Sequence, residues 1–214
     1  MSDKNSLNGI IQRINEWDKK TFLKLYKNKF LKGKRIILFA KIFSFFGNMY
    51  FFGMLWVVWV VYGYITKDYY LLVLFTSGFI QSMILHVMIR FKIVKRERPY
   101  ITLKDKGVGQ HDLLIKVDKS FPSGHVSFFL LFGAVIAYYF IDFYWIILLI
   151  FIGLDIIMAL TRLILGVHFP SDVIGGFILG IFYALLFLGL TQVYWTYAFY
   201  WCGDFLSPII HFWR

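Results

Sequence analysis

A histidine and an aspartate four residues apart, His168 and Asp172, stand in the stretch "TRLILGVHFPSDVIGG" of residues 161–176. Pro170 suits the first turn of a helix, and four residues make about one turn. The Asp172 carboxylate can then reach one imidazole nitrogen and leave the other as a nucleophile. Asp172 need not titrate for this, because orienting the ring and stabilising its imidazolium suffice. Two further clusters carry complementary chemistry. "FPSGH" at 121–125 offers the Ser123 hydroxyl, the Gly124 amide at a helix start where anions are favoured, and His125 as a general acid for a leaving oxygen. "KIVKRERP" at 92–99 supplies Arg98, which with Arg162 can grip a phosphoryl group through planar forks of donors. Each residue alone has an ordinary explanation: an interfacial histidine, an arginine anchoring a span end, an acid in a first helical turn, a Pro-Ser-Gly turn. Their joint occurrence is much harder to dismiss.

The elements that must position these groups are membrane spans. The 214 residues are 59% hydrophobic and 21% aromatic but only 16% charged, well below the roughly one-quarter charge of a soluble domain. Long apolar runs predict five spans, at about residues 45–65, 69–89, 126–141, 143–165 and 172–195, the third being short for a crossing. The apolar stretch 36–46 reads as the entry to the first span. Residues 6–31 place Ile10, Ile11, Ile14, Trp17, Phe22 and Leu25 roughly on one stripe among lysines, the pattern of a helix lying on a membrane surface. The expected fold is therefore an all-α polytopic bundle of about five spans with an N-terminal amphipathic surface helix. It divides into a basic interfacial segment at 1–35, a transmembrane domain at 36–195, and an aromatic interfacial tail at 196–214 broken by Gly203 and Pro208. The lone Cys202 excludes an internal disulfide framework and a cysteine-based metal site. The first thirty residues lack the short apolar core of a cleavable leader.

These spans put all three clusters on one face. That face also holds 21 of the 23 lysines and arginines, with Lys67 and Arg214 on the other. The positive-inside rule makes it cytoplasmic, with a periplasmic placement as the alternative. The net charge of +11 thus belongs to membrane topology, and no soluble fold is left to present a nucleic-acid-binding patch.

The clusters resemble the three signatures of the type-2 phosphatidic acid phosphatase superfamily, which includes membrane lipid phosphatases and vanadium-dependent haloperoxidases. Its pattern is Lys-x6-Arg-Pro, then Pro-Ser-Gly-His, then Ser-Arg-x5-His-x3-Asp. Arg98-Pro99, "PSGH" at 122–125, and Arg162, His168 and Asp172 match in order and spacing. The resemblance implies His168 as a nucleophile forming a phosphohistidine, Asp172 orienting it, and His125 protonating the leaving group. Arg98, Arg162, Ser123 and the Gly124 amide would hold the equatorial oxygens. It implies no metal and no cofactor, a lipid phosphate or pyrophosphate as substrate, and a bacterial plasma membrane as the setting. A lipid phosphotransferase would use the same residues, and a catalytically silent anionic-lipid binding protein is the reading outside enzymes. Two positions depart from the pattern. The family lysine falls on Phe91, with Lys92 one place off and Arg90 on the other side, so Lys92 can serve only if the helix turn is distorted there. The family serine is Thr161, which keeps the hydroxyl.

Outside the signatures, Asp155 is an intramembrane carboxylate seven residues before Arg162, with functional and structural readings both open. His86 reads as a core residue without a role. Lys104, Lys106, Lys116 and Lys119 are candidates for a basic rim that receives an anionic headgroup.

Overall fold

The computed structural model describes residues 2–93, 96–113 and 119–210. Lys116 and Arg214 lie outside the described residues. Within them the chain is helical and has no strand. Helix α1 (Ser2–Tyr26) leads into α2 (Lys34–Phe45), α3 (Met49–Thr66) and α4 (Tyr70–Met88), which closes in a π turn at Ile89–Ile93. A short α5 (Pro99–Thr102) opens the polar loop. Then come α6 (Gly124–Tyr139), α7 (Tyr144–Ile164), α8 (Pro170–Leu186), a second π turn at Phe187–Thr191, and α9 (Gln192–Ile210).

Four stretches are long and apolar enough to cross a membrane: Met49–Thr66, Tyr70–Lys92, Ile141–Ile164 and Pro170–Phe205. The shorter α6 is the fifth expected span. Its 16 residues rise about 24 Å at 1.5 Å each, less than the roughly 30 Å of a hydrocarbon core. Most of its side chains are buried, as a helix apolar all round requires. It is the central post of the bundle, packed against α4, α7 and α8. Glycines on α8 set the closest approach. A Cβ on Gly176 would stand 2.9 Å from the Ser123 carbonyl oxygen, and one on Gly180 3.0 Å from Leu130 Cβ. This four-residue spacing of small residues draws α6 and α8 together along one seam. An aromatic cluster of Phe52, Phe75, Phe79, Phe128, Phe132, Tyr183 and Phe187 packs α3, α4, α6 and α8 together.

Two expectations are corrected. Residues 36–46 are not the entry to the first span. They form the separate helix α2, because the chain turns at Phe46–Asn48 and Asn48 caps α3 by accepting from the Tyr50 amide at 3.2 Å. The tail is not broken at Gly203 or Pro208, since helix runs through both to Ile210. The 36 residues Pro170–Phe205 reach about 54 Å, so the helix outruns the membrane core.

The expected N-terminal amphipathic helix is present as α1, and its C-terminal half also docks onto the bundle. Ile10, Ile11, Ile14 and Trp17 are about half exposed, as a lipid-seated stripe would be, but Phe22 is fully buried. Phe22 meets Phe169 edge-on at 5.6 Å and stacks on Tyr26. Fully burying a phenylalanine is worth roughly 1.5–3 kcal/mol, enough to dock the C-terminal half of α1 onto α7 and α8.

Candidate active site

The three clusters meet at the end of the bundle where α4 finishes, α6 begins and α7 turns into α8. His168 lies in that last turn. Gly166 makes the turn at φ 77° and has no room for a side chain, because a Cβ there would stand 2.4 Å from the Gly109 carbonyl oxygen. The polar loop 107–113 lies directly against it, with the His111 amide donating to the Leu165 carbonyl at 3.0 Å.

Asp172 is the third residue of α8, and its Oδ2 accepts the Phe169 amide at 2.7 Å, closing the first turn as an acidic residue there should. The same oxygen stands 3.7 Å from His168 Nδ1, just beyond hydrogen-bond reach. On the other side of the ring, Arg98 Nη1 lies 3.3 Å from His168 Nε2. A guanidinium only donates, so this contact suits the tautomer with the lone pair on Nε2 and the proton on Nδ1, facing Asp172. Burial, followed by the charges of Arg98, Arg162, Arg90 and His125, pushes the His168 pKa well below 6.5 and keeps the ring neutral.

Arg98 is itself fixed, donating to the carbonyls of Val167 at 3.1 Å and Lys119 at 3.2 Å. Arg162 is fully buried. It donates to Ser44 Oγ on α2 and, at 2.6 Å, to Asp112 Oδ2 from the polar loop. Ser123 is held by its own amide, which donates to the Asp172 carbonyl at 3.0 Å. The buried atoms at this centre with no hydrogen-bond partner among the described residues include Ser123 Oγ, Arg162 Nε and His168 Nδ1. A buried polar atom left unmet costs about 1–3 kcal/mol, so the centre is organised to receive oxygen atoms.

A cleft opens here, lined by His168, His125, Arg98 and Gly124, and by the apolar side chains of Met49, Met83, Val87, Phe91 and Phe128. His125 is covered closely by Gly47 in the turn between α2 and α3, where a Cβ would come within 3.0 Å of the His125 Cβ. The distorted turn that Lys92 would need near position 91 is present as the π turn, which carries about one residue more per turn than an α-helix. It leaves Lys92 exposed and outside the cleft lining. Arg90 lines the cleft instead and donates to the Pro122 carbonyl at 2.8 Å. Thr161 Oγ1 donates to the Met158 carbonyl at 2.7 Å and so turns back into its own helix. Asp155 is fully buried, and both its oxygens lack a hydrogen-bond partner among the described residues. Lys104 and Lys106 are exposed on the polar loop, and Lys119 is partly buried.

Several residues at this centre were not singled out by motif spacing. His86, one turn before Arg90, borders the cleft and is buried against Ser127 and Tyr183, each 3.4 Å from its Nδ1. Gly124 admits it: a Cβ there would lie 3.3 Å from His86 Nε2. Arg96 reaches Asp172 Oδ1 at 3.0 Å and Asp18 of α1 at 2.6 Å, and Asp112 meets Arg162. The signals were weak but present. Arg96 lies in the same basic run as Arg98, and Asp18 is an acid within a lysine-rich helix.

The fold defines a polytopic helical membrane protein whose polar residues converge at one end of the bundle. The sequence profile of the PAP2 superfamily matches residues 66–196, more than half of the chain, and the chain belongs to that superfamily. Among solved structures it resembles a transmembrane PAP2-type phosphatidylglycerolphosphate phosphatase from Bacillus subtilis, with 21% identity, TM-score 0.64, and 84% of this chain and 87% of that one covered. It resembles LpxE of Aquifex aeolicus similarly, with 21% identity, TM-score 0.63, and 81% and 95% covered. No curated protein matches the chain. The fold is that of PAP2 membrane phosphatases.

Proposed function

We propose that the protein is a membrane lipid phosphatase that cleaves a phosphomonoester or pyrophosphate from a lipid headgroup through a phosphohistidine. The observation that carries this reading is the pairing of Arg98 Nη1 with His168 Nε2 at 3.3 Å. Arg98 and the Nε2 lone pair it faces share one small space, where a phosphoryl group would displace their contact and meet both.

In the first step Nε2 attacks phosphorus and the bond to the leaving oxygen breaks. His125 gives that oxygen its proton, and the lipid leaves as an alcohol or a lipid phosphate. His168 becomes cationic in the process, and the nearby Asp172 carboxylate stabilises it. Arg98, Arg162, Ser123 and the Gly124 amide bind the three equatorial oxygens, and their preorganisation stabilises the transition state. Arg90 takes the cationic position that the signature gives to lysine. In the second step His125, now neutral, accepts a proton from water; the hydroxide attacks phosphorus, the P–N bond breaks, and inorganic phosphate departs. The apolar wall of Met83, Val87 and Phe91 suits a substrate whose chains stay in the bilayer. The concentration of positive charge on the site's face supports a cytoplasmic orientation.

Purified protein in detergent should release phosphate from lipid phosphates at the same rate with and without EDTA. His168→Ala and His125→Ala should each reduce turnover at least about a hundredfold. Activity abolished by EDTA, or wild-type turnover in either variant, would sink the mechanism.

A further inference from the structure

We propose that Asp18 of α1 is a positioning residue for the catalytic pair, and that membrane seating of α1 acts on the reaction through it. The proposal rests on the reading of His168 and Asp172 given above.

Asp18 is fully buried although Lys19, Lys20 and Lys24 follow it in sequence. Its Oδ2 accepts from Arg96 at 2.6 Å and from the Ser171 hydroxyl at 2.5 Å, and its Oδ1 accepts the Ser171 amide at 2.9 Å. The other terminal nitrogen of Arg96 donates to Ser171 Oγ at 2.6 Å and to Asp172 Oδ1 at 3.0 Å. The guanidinium lies 4.2 Å from the centre of the Phe169 ring, a cation–π distance. A carboxylate from α1, an arginine from the loop after α4 and the first turn of α8 are therefore joined in one network.

The network ends on the catalytic carboxylate. Arg96 holds Asp172 Oδ1 and the Phe169 amide holds Oδ2, so the carboxylate cannot rotate away from His168. Arg96 in turn has one side held by Asp18. Without that carboxylate a partly exposed arginine (18%) would be drawn toward water and would release Asp172. Charge-assisted contacts of this kind are among the stronger hydrogen bonds, and networks of them act as units.

The position of Asp18 depends on α1, and α1 is only half covered by protein. Phe22 and Tyr26 dock its C-terminal half. Ile10, Ile11, Ile14 and Trp17, in the turns just before Asp18, are 46–52% exposed. The spans of α3, α4, α7 and α8 place the rest of the chain in a bilayer, and basic residues flank the stripe, so the occupant of this uncovered length is the lipid surface. Seating the stripe fixes the height and rotation of α1, and with them Asp18.

A cycle of variants in phosphatidylcholine vesicles carrying a lipid phosphate tests this. Asp18→Asn and Arg96→Gln should each lower kcat about tenfold with little change in KM, and the double variant should be no slower than the slower single one. Ile11→Glu with Ile14→Glu should lower kcat in the wild-type background and add nothing to Asp18→Asn. If Asp18→Asn does not fold, Arg96→Lys keeps the charge, loses the two-sided contact and serves in its place. Wild-type kcat in the Asp18 and Arg96 variants, or losses that multiply, would overturn the proposal. A wild-type protein inactive on lipid phosphates would instead overturn the phosphatase reading.

Discussion

Asp112 Oδ2 lies 2.6 Å from a terminal nitrogen of Arg162, with both side chains buried. The polar loop thus places a carboxylate on the arginine proposed to hold phosphoryl oxygens, and on that proposal the two anions should compete for it. Asp112→Asn should tighten inhibition by vanadate, a mimic of the phosphoryl transition state, by roughly tenfold. It should also lower the melting temperature by several degrees, since removing one charge of a buried pair is strongly destabilising, and vanadate should restore most of the loss. Unchanged vanadate affinity would show that Asp112 does not occupy the oxyanion position.

On the proposed mechanism the neutral state of His168 should set the acid limb of the rate. With the pKa pushed well below 6.5 by burial and then by Arg98, Arg162, Arg90 and His125, the Nε2 lone pair stays available until the pH falls through that lowered value. The same shift makes the unfolded chain bind more protons below pH 6.5, so His168 subtracts stability as the pH falls from there. Arg90→Gln removes one of the positive neighbours and should move the acid limb of kcat/KM to higher pH. The titration of the substrate phosphate is common to both proteins and cancels in the comparison. A limb that stays put or moves to lower pH would contradict the electrostatic origin.

Gly176 is where the seam between α6 and α8 is tightest. A Cβ there stands 2.9 Å from the backbone oxygen of Ser123 and 3.0 Å from Val126 Cβ, and backbone cannot move aside cheaply. Gly176→Ala should cost about 1–3 kcal/mol, as overpacking does, visible as a lower melting temperature. It should also reduce turnover, because Ser123 and His125 ride on the displaced end of α6. Wild-type melting and turnover together would show that the seam is loose.

Orientation can be read with one cysteine. In a Cys202→Ser background, a cysteine in place of the exposed Lys106 should resist an impermeant thiol reagent in intact cells and react after lysis. Labelling in intact cells would put the site on the outer face.

The sequence was most informative where chemistry and membrane insertion constrain it together. His168, Asp172, His125, Arg98 and Arg162 declare themselves because charged and titratable groups are rare beside apolar spans, and the spans bring their three segments to one face. The third span was recognisably short, and burial explains why it can be. Less legible were contacts between elements far apart in the chain. Asp18 and Arg96 are 78 residues apart and Arg162 and Asp112 are 50 apart, and no local spacing marks either pair. Position 91 was ambiguous because a π turn shifts register without a sequence mark of its own, so only the backbone shows that Arg90, and not Lys92, borders the cleft. The stripe on α1 was visible, but one apolar pattern serves both lipid and protein, and periodicity does not divide it between them.

The most direct test is to trap the covalent intermediate. Enzyme mixed with a lipid carrying a radiolabelled terminal phosphate, then quenched in alkali within the first turnover, should carry an acid-labile, base-stable label that maps to His168. The label should build up in His125→Ala if loss of the general base slows dephosphorylation more than attack, and it should be absent from His168→Ala. Steady release of phosphate by the wild type with no label on His168, or the same label in His168→Ala, would contradict the phosphohistidine mechanism.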